Sequence, residues 1–477
     1  MLLSGLICST ALGLAASVAG QIQAPAIAGV APPISNADRL YTGDQSSNTI
    51  TVIKPLTGEV LGTIALGKQR LTDVLNPQYI QAVNTHGLGF SRDGKYIVSL
   101  SVTSNTVTVI RCVDNSIVSQ TFVDRNAHEA FFASDNRTVW VGTRGVDRID
   151  IVDGINGGIV GYVNTAGGPS KVLFSPDGKL AYANHIRSPT VSIIDVETRT
   201  VVRSITGLAD KFSSDMMLSA DGKRLWAAHK MVDKVSVISL QSNRVVSVLE
   251  TGPETNHPNF ADINGTTHGF VTVAAENLTR VYTQPDPEHA PVYLTSIKAN
   301  VIEPHGLWPS PDNSYMYVLG EHSDAVDFVD LSTMRVTKTV HIGQEGQALV
   351  YVAGAVPEGS GDGTQNLGRQ GLSRQRPLNK LLVGETHSDN VTATALVTVR
   401  RQAGLDMFQV IGRGLKLNTT YTVSASCLQC KAVRIPLVEF SASTPSGPGC
   451  GTAPQVLAFF KFIGVYSMES LKLVEVY

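Results

Sequence analysis

The sequence is poor in net charge, in cysteine and in long apolar segments. Its 38 Lys and Arg residues nearly balance its 40 Asp and Glu residues, which gives a formal charge of −2. A nucleic-acid-binding face needs an excess of basic groups, so this balance argues against a nucleic-acid partner. After the first twenty residues, no stretch has the roughly 18 apolar residues that span a bilayer. Hydrophobic residues still make up 43% of the chain, which indicates a globular protein.

The N-terminus carries the pattern of an export signal. The segment MLLSGLICSTALGLAASVAG is apolar and small, and the polar, Pro-rich segment QIQAPAIAGVAPP follows it. This pattern predicts a secretory signal peptide over residues 1–20, cleaved near Gly20, and a linker over residues 21–37. The alternative is an N-terminal anchor helix. We therefore expect a secreted, extracellular protein.

Glycosylation sequons and cysteines agree with export. N-x-S/T sequons, which predict glycosylation in a secreted chain, occur at Asn136, Asn264, Asn277, Asn390 and Asn418. Loss of the leader removes Cys8 and leaves Cys112, Cys427, Cys430 and Cys450. An even number of cysteines in an oxidising compartment favours disulfides, and we expect a bridge from Cys427 or Cys430 to Cys450. The segment CLQC could instead be a redox or zinc pair.

A repeat of about 40–50 residues runs through the chain. Aligned on their turns, the units read HGLGFSRDGKYIVSL from His86, HEAFFASDNRTVWVG from His128, SKVLFSPDGKLAYAN from Ser170, SDMMLSADGKRLWAA from Ser214, HPNFADINGTTHGFV from His257 and HGLWPSPDNSYMYVL from His305. Each unit has a short apolar strand, a tight D-G-like turn and a second strand. Alternating segments such as NTVTVI and PTVSIIDV follow. The repeat therefore predicts four antiparallel strands per unit, as in the blades of a β-propeller.

The two ends of the repeat region complement each other. Residues 39–66 have the last three strands of a unit, and EGQALVYVAGAV, residues 345–356, has the place of the missing first strand. We predict that this C-terminal strand completes the N-terminal blade and closes the ring, which removes exposed sheet edges. The expected fold is all-β, with a seven-bladed β-propeller over residues 38–356.

The repeat resembles a known family. SPDGK, AYAN and PTVSIIDVETRTVV are similar to the recurring motifs of the YVTN-repeat propellers, although the tetrapeptide itself is replaced in every blade. That family includes surface-layer proteins, relatives of the cytochrome cd1 nitrite reductase propeller and lactonase-like enzymes. The resemblance covers about residues 38–356 and implies the fold more than the function.

The tail differs from the repeats. Residues 357–380 are rich in Gly, Ser, Gln and Arg, which indicates a linker. From residue 381 to residue 477 a strand pattern returns in TATALVTVRR, TTYTVSAS and VLAFFKFIGVY. It predicts a small β-sandwich-like domain without a catalytic constellation.

Antiparallel topology predicts that several polar side chains share one rim of the propeller. The start of each first strand and the end of each second strand lie on the face opposite the D-G turns. The candidate catalytic residues on this rim are His305, His322, His128 and Glu129, and the candidate ligand-binding residues are His86, His257, His185, His229, Arg144 and Arg187. Further acidic residues join them at Asp215, Glu276, Glu303, Glu321 and Glu345.

Three hypotheses follow for this rim. In the first, it binds a small organic molecule without a cofactor, and a His beside a carboxylate could transfer protons. The family resemblance then implies a lactonase, or a cyclase of the hetero-Diels–Alder type found in fungal secondary-metabolite pathways. In the second, the histidines only form hydrogen bonds between neighbouring blades, and the propeller is a non-catalytic module that binds an extracellular protein or glycan. In the third, the imidazoles hold copper or zinc. We assign no residue to a metal at this stage.

Overall fold

The computed structural model describes residues 32–66, 82, 84–368, 378–386, 392–402, 405–426, 434–441, 444–445, 451–452, 456–460 and 471–476. The predicted signal peptide, Asn390 and the cysteines at 427, 430 and 450 lie outside these residues. Within them, the one helical element is a single 3-10 turn, Ala274–Glu276. None of the described residues forms a helix long and apolar enough to cross a membrane.

Seven four-stranded antiparallel sheets form blades 1 to 7. Blade 1 contains β1 (Arg39–Asp44), β2 (Thr49–Lys54), β3 (Glu59–Ala65) and the late strand β28 (Gly346–Val352). Blade 2 contains β4 (Thr85–Phe90), β5 (Tyr96–Ser101), β6 (Thr106–Arg111) and β7 (Ile117–Phe122). Blade 3 contains β8 (Ala127–Phe132), β9 (Thr138–Thr143), β10 (Arg148–Asp153) and β11 (Ile159–Asn164). Blade 4 contains β12 (Pro169–Phe174), β13 (Leu180–His185), β14 (Thr190–Asp195) and β15 (Thr200–Thr206).

The remaining blades repeat this arrangement. Blade 5 contains β16 (Asp215–Leu218), β17 (Arg224–His229), β18 (Lys234–Ser239) and β19 (Arg244–Glu250). Blade 6 contains β20 (Thr255–Ile263), β21 (Thr266–Val273), β22 (Leu278–Thr283) and β23 (Val292–Lys298). Blade 7 contains β24 (Pro304–Pro309), β25 (Tyr315–Gly320), β26 (Ala325–Asp330) and β27 (Arg335–His341). The all-β, seven-bladed fold predicted from the repeat is confirmed.

The innermost strands contact one another in the cyclic order β28, β4, β8, β12, β16, β20, β24 and β28 again. β28 pairs antiparallel with β1, so a strand from residue 346 onward lies in the same sheet as one that begins at residue 39. In every blade the outermost pair of strands has a register shift, as between Val109 and Ile110 or between Phe328 and Val329. Such bulges increase strand twist, which suits blades packed around an axis.

The repeated turn has a clear local cause. In S-x-D-G turns, the Ser91 hydroxyl donates to Asp93 at 2.7 Å, and the Ser175 hydroxyl donates to Asp177 at 2.6 Å. The glycine that follows, such as Gly94 at φ 72°, adopts the left-handed region that this turn requires. These turns therefore place the start of each inner strand and the end of the second strand on the opposite rim.

The tail begins with a segment held against the propeller. Over residues 357–368, Gly368 exchanges two backbone hydrogen bonds with Thr63 at the outer edge of blade 1. The Asn115 amide of blade 2 donates to the carbonyls of Gly363 and Gln365. This part of the predicted linker is therefore packed rather than free.

Two further sheets and a short ribbon make up the rest. The strands of the first sheet are β29 (Leu378–Thr386), β30 (Thr392–Gln402), β31 (Leu405–Arg413) and β36 (Val456–Phe460); those of the second are β33 (Arg434–Ser441), β32 (Thr420–Ser426) and β37 (Lys472–Val476); those of the ribbon are β34 (Thr444–Pro445) and β35 (Gly451–Thr452). The two sheets share an apolar core that includes Val397, Phe408 and Tyr421.

Candidate functional site

Four imidazoles from four inner strands form a continuous row at the rim, which we name the histidine row: His128, His86, His305 and His257. The ring centroids are 4.6 Å apart for His128 and His86, 6.2 Å for His86 and His305, and 4.5 Å for His305 and His257. They belong to blades 3, 2, 7 and 6, so the row crosses the mouth of the central channel beside blade 1. The structure thus brings together the four histidines predicted at strand starts.

Burial keeps most of the row neutral. It lowers the pKa of His86 and His128 well below the ordinary value, and it lowers that of His305 to about 3. His305 Nδ1 lies 2.8 Å from the carbonyl oxygen of Gln347, which can only accept, so Nδ1 carries the proton. The lone pair of His305 is therefore on Nε2. Neutral imidazoles of this kind can both accept and donate hydrogen bonds to a ligand at neutral pH.

His257 differs from the other three because a carboxylate contacts its Nδ1, whereas the carboxylate near His305, that of Glu321, lies 4.0 Å from Nε2. Its Nδ1 lies 2.7 Å from Oδ2 of Asp215, and the other oxygen, Oδ1, lies 2.7 Å from Nζ of Lys171. Burial alone would raise the pKa of Asp215, but His257 and Lys171 outweigh it and hold that pKa below its ordinary value. An ionised carboxylate this close to Nδ1 favours a proton on that atom, which leaves the lone pair of the ring on Nε2, as in a general base.

Lys171 and Glu129 complete this charged group. The Lys171 ammonium lies 3.8 Å from Oε2 of Glu129, and both side chains are almost fully buried. Burial raises the pKa of Glu129. Sequence reasoning named Glu129 and Asp215 but missed Lys171. The repeat alignment could have identified Lys171, because a charged residue follows the aligned strand-start position in three successive units, at Glu129, Lys171 and Asp215.

The two predicted arginines occupy different places. Arg144 donates to the Ser170 hydroxyl at 2.9 Å and to the Ser214 carbonyl at 2.9 Å, and its guanidinium lies 5.8 Å from the centre of the Phe212 ring. It therefore spans blades 3 to 5 at the channel mouth, and its charge helps to lower the pKa of His128. Arg187 is exposed and pairs with Asp147 at 2.6 Å, so it lies on the outer part of the rim.

His185 and His229 do not join the row. Both are fully buried, and each Nε2 lies 2.9 Å from a serine hydroxyl on the next strand of its own blade, Ser192 or Ser236. Burial lowers the pKa of His185 to about 4. We predicted that these two histidines bind a ligand, but in the structure both rings are fully buried and their Nε2 atoms bond inside the blade.

His322 lies at the rim under the C-terminal sheet. Its Nε2 is 3.2 Å from Oε2 of Glu303, and its Nδ1 is 2.9 Å from the Thr398 hydroxyl of β30. Burial would lower the pKa of His322, but Glu303 outweighs this effect and raises it. The same surroundings lower the pKa of Glu303 to about 2 against the effect of burial.

The C-terminal sheet thus covers part of the rim. Arg400 pairs with Asp324 at 3.0 Å, and Arg413 pairs with Glu254 at 2.6 Å and also with Glu303. Strand alternation explains the contact, because Val397 and Val399 face the core of the C-terminal sheets while Arg400 faces the propeller. Sequence reasoning found no role for this domain.

Some of the buried polar atoms that lack a partner belong to residues of the row or next to it. Among the described residues, His86 Nδ1, Gln347 Nε2 and Asn256 Nδ2 are buried without a hydrogen-bond partner. Such atoms are costly in a folded protein and are commonly kept where a ligand uses them.

The described sequon residues remain accessible. Asn264 and Asn418 are exposed, and Asn136 and Asn277 are partly exposed. Cys112, the one cysteine among the described residues, has a free buried thiol.

Three solved structures with the same fold come from bacteria. The periplasmic gluconolactonase of Pseudomonas aeruginosa is 15% identical, with a TM-score of 0.53, over 66% of this chain and 99% of that one. A putative 6-phosphogluconolactonase of Bacteroides fragilis is 11% identical, with a TM-score of 0.53, over 68% and 100%. A protein of unknown function from Desulfotomaculum acetoxidans is 11% identical, with a TM-score of 0.55, over 66% and 98%. No curated protein matches this chain.

At these identities the structural likeness shows the fold alone. The sequence itself adds a match to the family model described as "Lactonase, 7-bladed beta-propeller", over residues 34–283. This range covers just over half of the chain and includes the start of blade 1, blades 2 to 5 and most of blade 6. The chain therefore belongs to the family of seven-bladed lactonase β-propellers.

Proposed function

We propose that the protein binds a small organic molecule with a carbonyl group at the histidine row and hydrolyses it as a lactone. One observation carries this proposal: the Asp215 carboxylate is held between Lys171 and Nδ1 of His257, at 2.7 Å from each. A carboxylate–histidine pair of this kind activates a water molecule without a cofactor. Membership of the lactonase family supports the choice of a lactone.

The steps follow from the geometry. His257 Nε2 takes a proton from water while the water oxygen attacks the lactone carbonyl carbon. Asp215 stabilises the imidazolium that forms. The ring C–O bond then breaks, and the imidazolium returns the proton to the departing oxygen, so the product is a hydroxy acid. The Arg144 charge at the channel mouth favours an anionic intermediate and product.

The other histidines supply binding rather than proton transfer. The His305 lone pair on Nε2 and the unpartnered His86 Nδ1 offer hydrogen-bonding positions beside His257. Neutral rings in this row avoid repelling the imidazolium that the reaction requires, since burial lowers the pKa of His86 and His305.

The test is hydrolysis of five- and six-membered lactones, including sugar lactones, by the purified protein. We expect turnover by the wild type, and a loss of about 10²–10⁴-fold in kcat for His257→Gln and for Asp215→Asn. His289→Gln is the matched control, because His289 is exposed and pairs only with Asp286. Full activity in His257→Gln would refute the assignment of the base.

Other outcomes separate the remaining functions. Conversion of an unsaturated carbonyl compound into a ring without uptake of water would replace hydrolysis by cofactor-free cyclisation. Ligand binding at the row without turnover would leave a non-catalytic binding protein. Secretion is part of the proposal, and it predicts that the exported chain begins near residue 21 and carries glycans at the exposed Asn264 and Asn418.

A further inference from the structure

A second group of ligating side chains lies at the rim, separate from the pair of Asp215 and His257. One ligand atom each from Glu303, Glu321 and His322 lies within 4.8 Å of the other two. His322 and Glu303 are almost fully buried, with 1% and 3% of their surfaces exposed. We name these three residues the rim triad.

The proton position on His322 can be deduced from its partners. The Asn379 amide donates from Nδ2 to the backbone carbonyl of His322 at 2.9 Å, which fixes its Oδ1 toward Thr398. The Thr398 hydroxyl donates its only proton to that Oδ1 at 2.7 Å. It must therefore accept from Nδ1 of His322, 2.9 Å away. Nδ1 carries a proton, and Nε2 faces the carboxylates.

The contact between Nδ1 of His322 and Thr398 is of the kind that metal-binding histidines make. A ligating imidazole donates its second N–H to a neighbouring oxygen, which fixes the ring and the tautomer. His322 Nε2 is buried and has no hydrogen-bond partner among the described residues, although Oε2 of Glu303 is only 3.2 Å away. That distance is close to the roughly 3.3 Å between two ligands of a tetrahedral ion with bonds of about 2.0–2.1 Å.

The surroundings hold more negative than positive charge. Arg400, Arg413 and Lys230 are cationic side chains that interact with this region, and His322 adds a fourth positive charge when its ring is protonated. The carboxylates that they face are Glu254, Glu303, Glu321, Asp324 and Glu345. Buried carboxylates in excess must be protonated or bind a cation, because an uncompensated buried charge is costly. Burial raises the pKa of Glu345, and the neighbouring Glu321 adds to this effect.

The arginines do not block the rim triad. Arg413 contacts Oε1 of Glu303, whereas Oε2 faces His322. Arg400 binds Asp324 and the backbone carbonyl of Glu321 rather than its carboxylate, which has one oxygen 4.0 Å from Nε2 of His305.

We propose that Glu303, Glu321 and His322 bind one divalent cation of the zinc type, with Thr398 of the C-terminal domain as the positioning residue for His322. One imidazole and two carboxylates suit Zn²⁺ better than Mg²⁺, which prefers an all-oxygen octahedron. Three protein ligands leave a fourth position open on the ion. The C-terminal domain then has a definite role, since it supplies the outer contact of the site.

The test is zinc binding by the full-length protein after removal of metals with a chelator. Calorimetric titration should show one Zn²⁺ per chain and a much weaker response to Mg²⁺. X-ray absorption of the zinc form should show a single imidazole, with oxygen atoms as the other ligands. A wild-type protein that binds no zinc, or a zinc ion surrounded by several imidazoles, would overturn the proposal.

Variants locate the site without relying on activity. His322→Gln and Glu303→Gln should abolish stoichiometric binding, while the exposed His289→Gln should not change it. Thr398→Val leaves all three ligands in place and should weaken zinc binding about 10–100-fold, with recovery in Thr398→Ser. Unchanged affinity in Thr398→Val would refute the positioning role, and unchanged binding in His322→Gln would refute the site.

Discussion

Protonation of buried histidines should make this propeller sensitive to acid, and His185 allows the effect to be measured on one side chain. His185 is fully buried, its Nε2 contacts Ser192, and its Nδ1 has no partner among the described residues. Burial lowers its pKa in the folded protein from 6.5 to about 4. The unfolded chain therefore takes up a proton on this ring below about pH 6.5, while the folded protein does so only near pH 4.

The sign and size of the effect follow from linkage. Because the unfolded state binds the proton first, the free energy of unfolding falls as the pH drops from about 6.5 toward 4. Each pH unit in this window costs about 1.4 kcal/mol for one such group, so His185 alone should cost about 2 kcal/mol at pH 5. Water does not screen this effect on the free energy of unfolding, because His185 is 0% exposed.

The assay is urea unfolding of the wild type and of His185→Gln at about pH 7.5 and about pH 5. Glutamine can keep a hydrogen bond to Ser192 but cannot titrate. We expect the variant to be less stable than the wild type at the higher pH, and to gain about 2 kcal/mol relative to it at the lower pH. A stability difference that stays constant between the two pH values would refute the reasoning, because His185 would then not titrate with a lowered pKa.

Two further predictions concern packing. Replacing Arg400 by Met leaves the buried Asp324 without its cationic partner and should reduce the free energy of unfolding by about 3–5 kcal/mol. The control Arg187→Met removes one member of an exposed ion pair and should cost at most about 1 kcal/mol. Thermal unfolding of the two variants and the wild type measures both effects. A methyl group added at Gly142 would lie 2.2 Å from a backbone oxygen of the next blade, so Gly142→Ala should lower the free energy of unfolding, measured with urea, by about 1–3 kcal/mol. Gly368→Ala, with its nearest neighbour at 3.5 Å, should change it little.

The propeller could be predicted from the sequence because each repeat unit contains the residues that determine its own turns and strands. Each unit carries its own turn signal, such as the Ser175–Asp177 hydrogen bond, and its own alternating strands. These local rules fix which residues begin inner strands, and they placed His86 and His305 correctly beside the channel. Local rules do not fix which side chain of a neighbouring blade each one meets.

The C-terminal sheet shows where pattern reasoning stops. Alternation in TATALVTVRR separates Val397 and Val399 from Thr398 and Arg400, and a polar face of this kind usually contacts water. Here the polar face is buried against the propeller, where Arg400 meets Asp324 across 76 residues of sequence. A binary pattern cannot distinguish a polar interface from a solvated surface, because both require the same residue types.

The contacts of the histidine row likewise could not be predicted from the repeat pattern. Its members share one repeat position, yet their Nδ1 atoms face different groups: the carbonyl of Gln347 for His305, the carboxylate of Asp215 for His257, and no partner for His86. Those groups come from adjacent blades, so ring closure rather than the repeat decides the chemistry of each imidazole. An ionised carboxylate on Nδ1 stabilises the imidazolium that base catalysis creates better than a carbonyl does, and at Nδ1 the carboxylate lies at His257. For this reason the proposed mechanism gives the role of base to His257 rather than to His305, the equivalent histidine of the next blade.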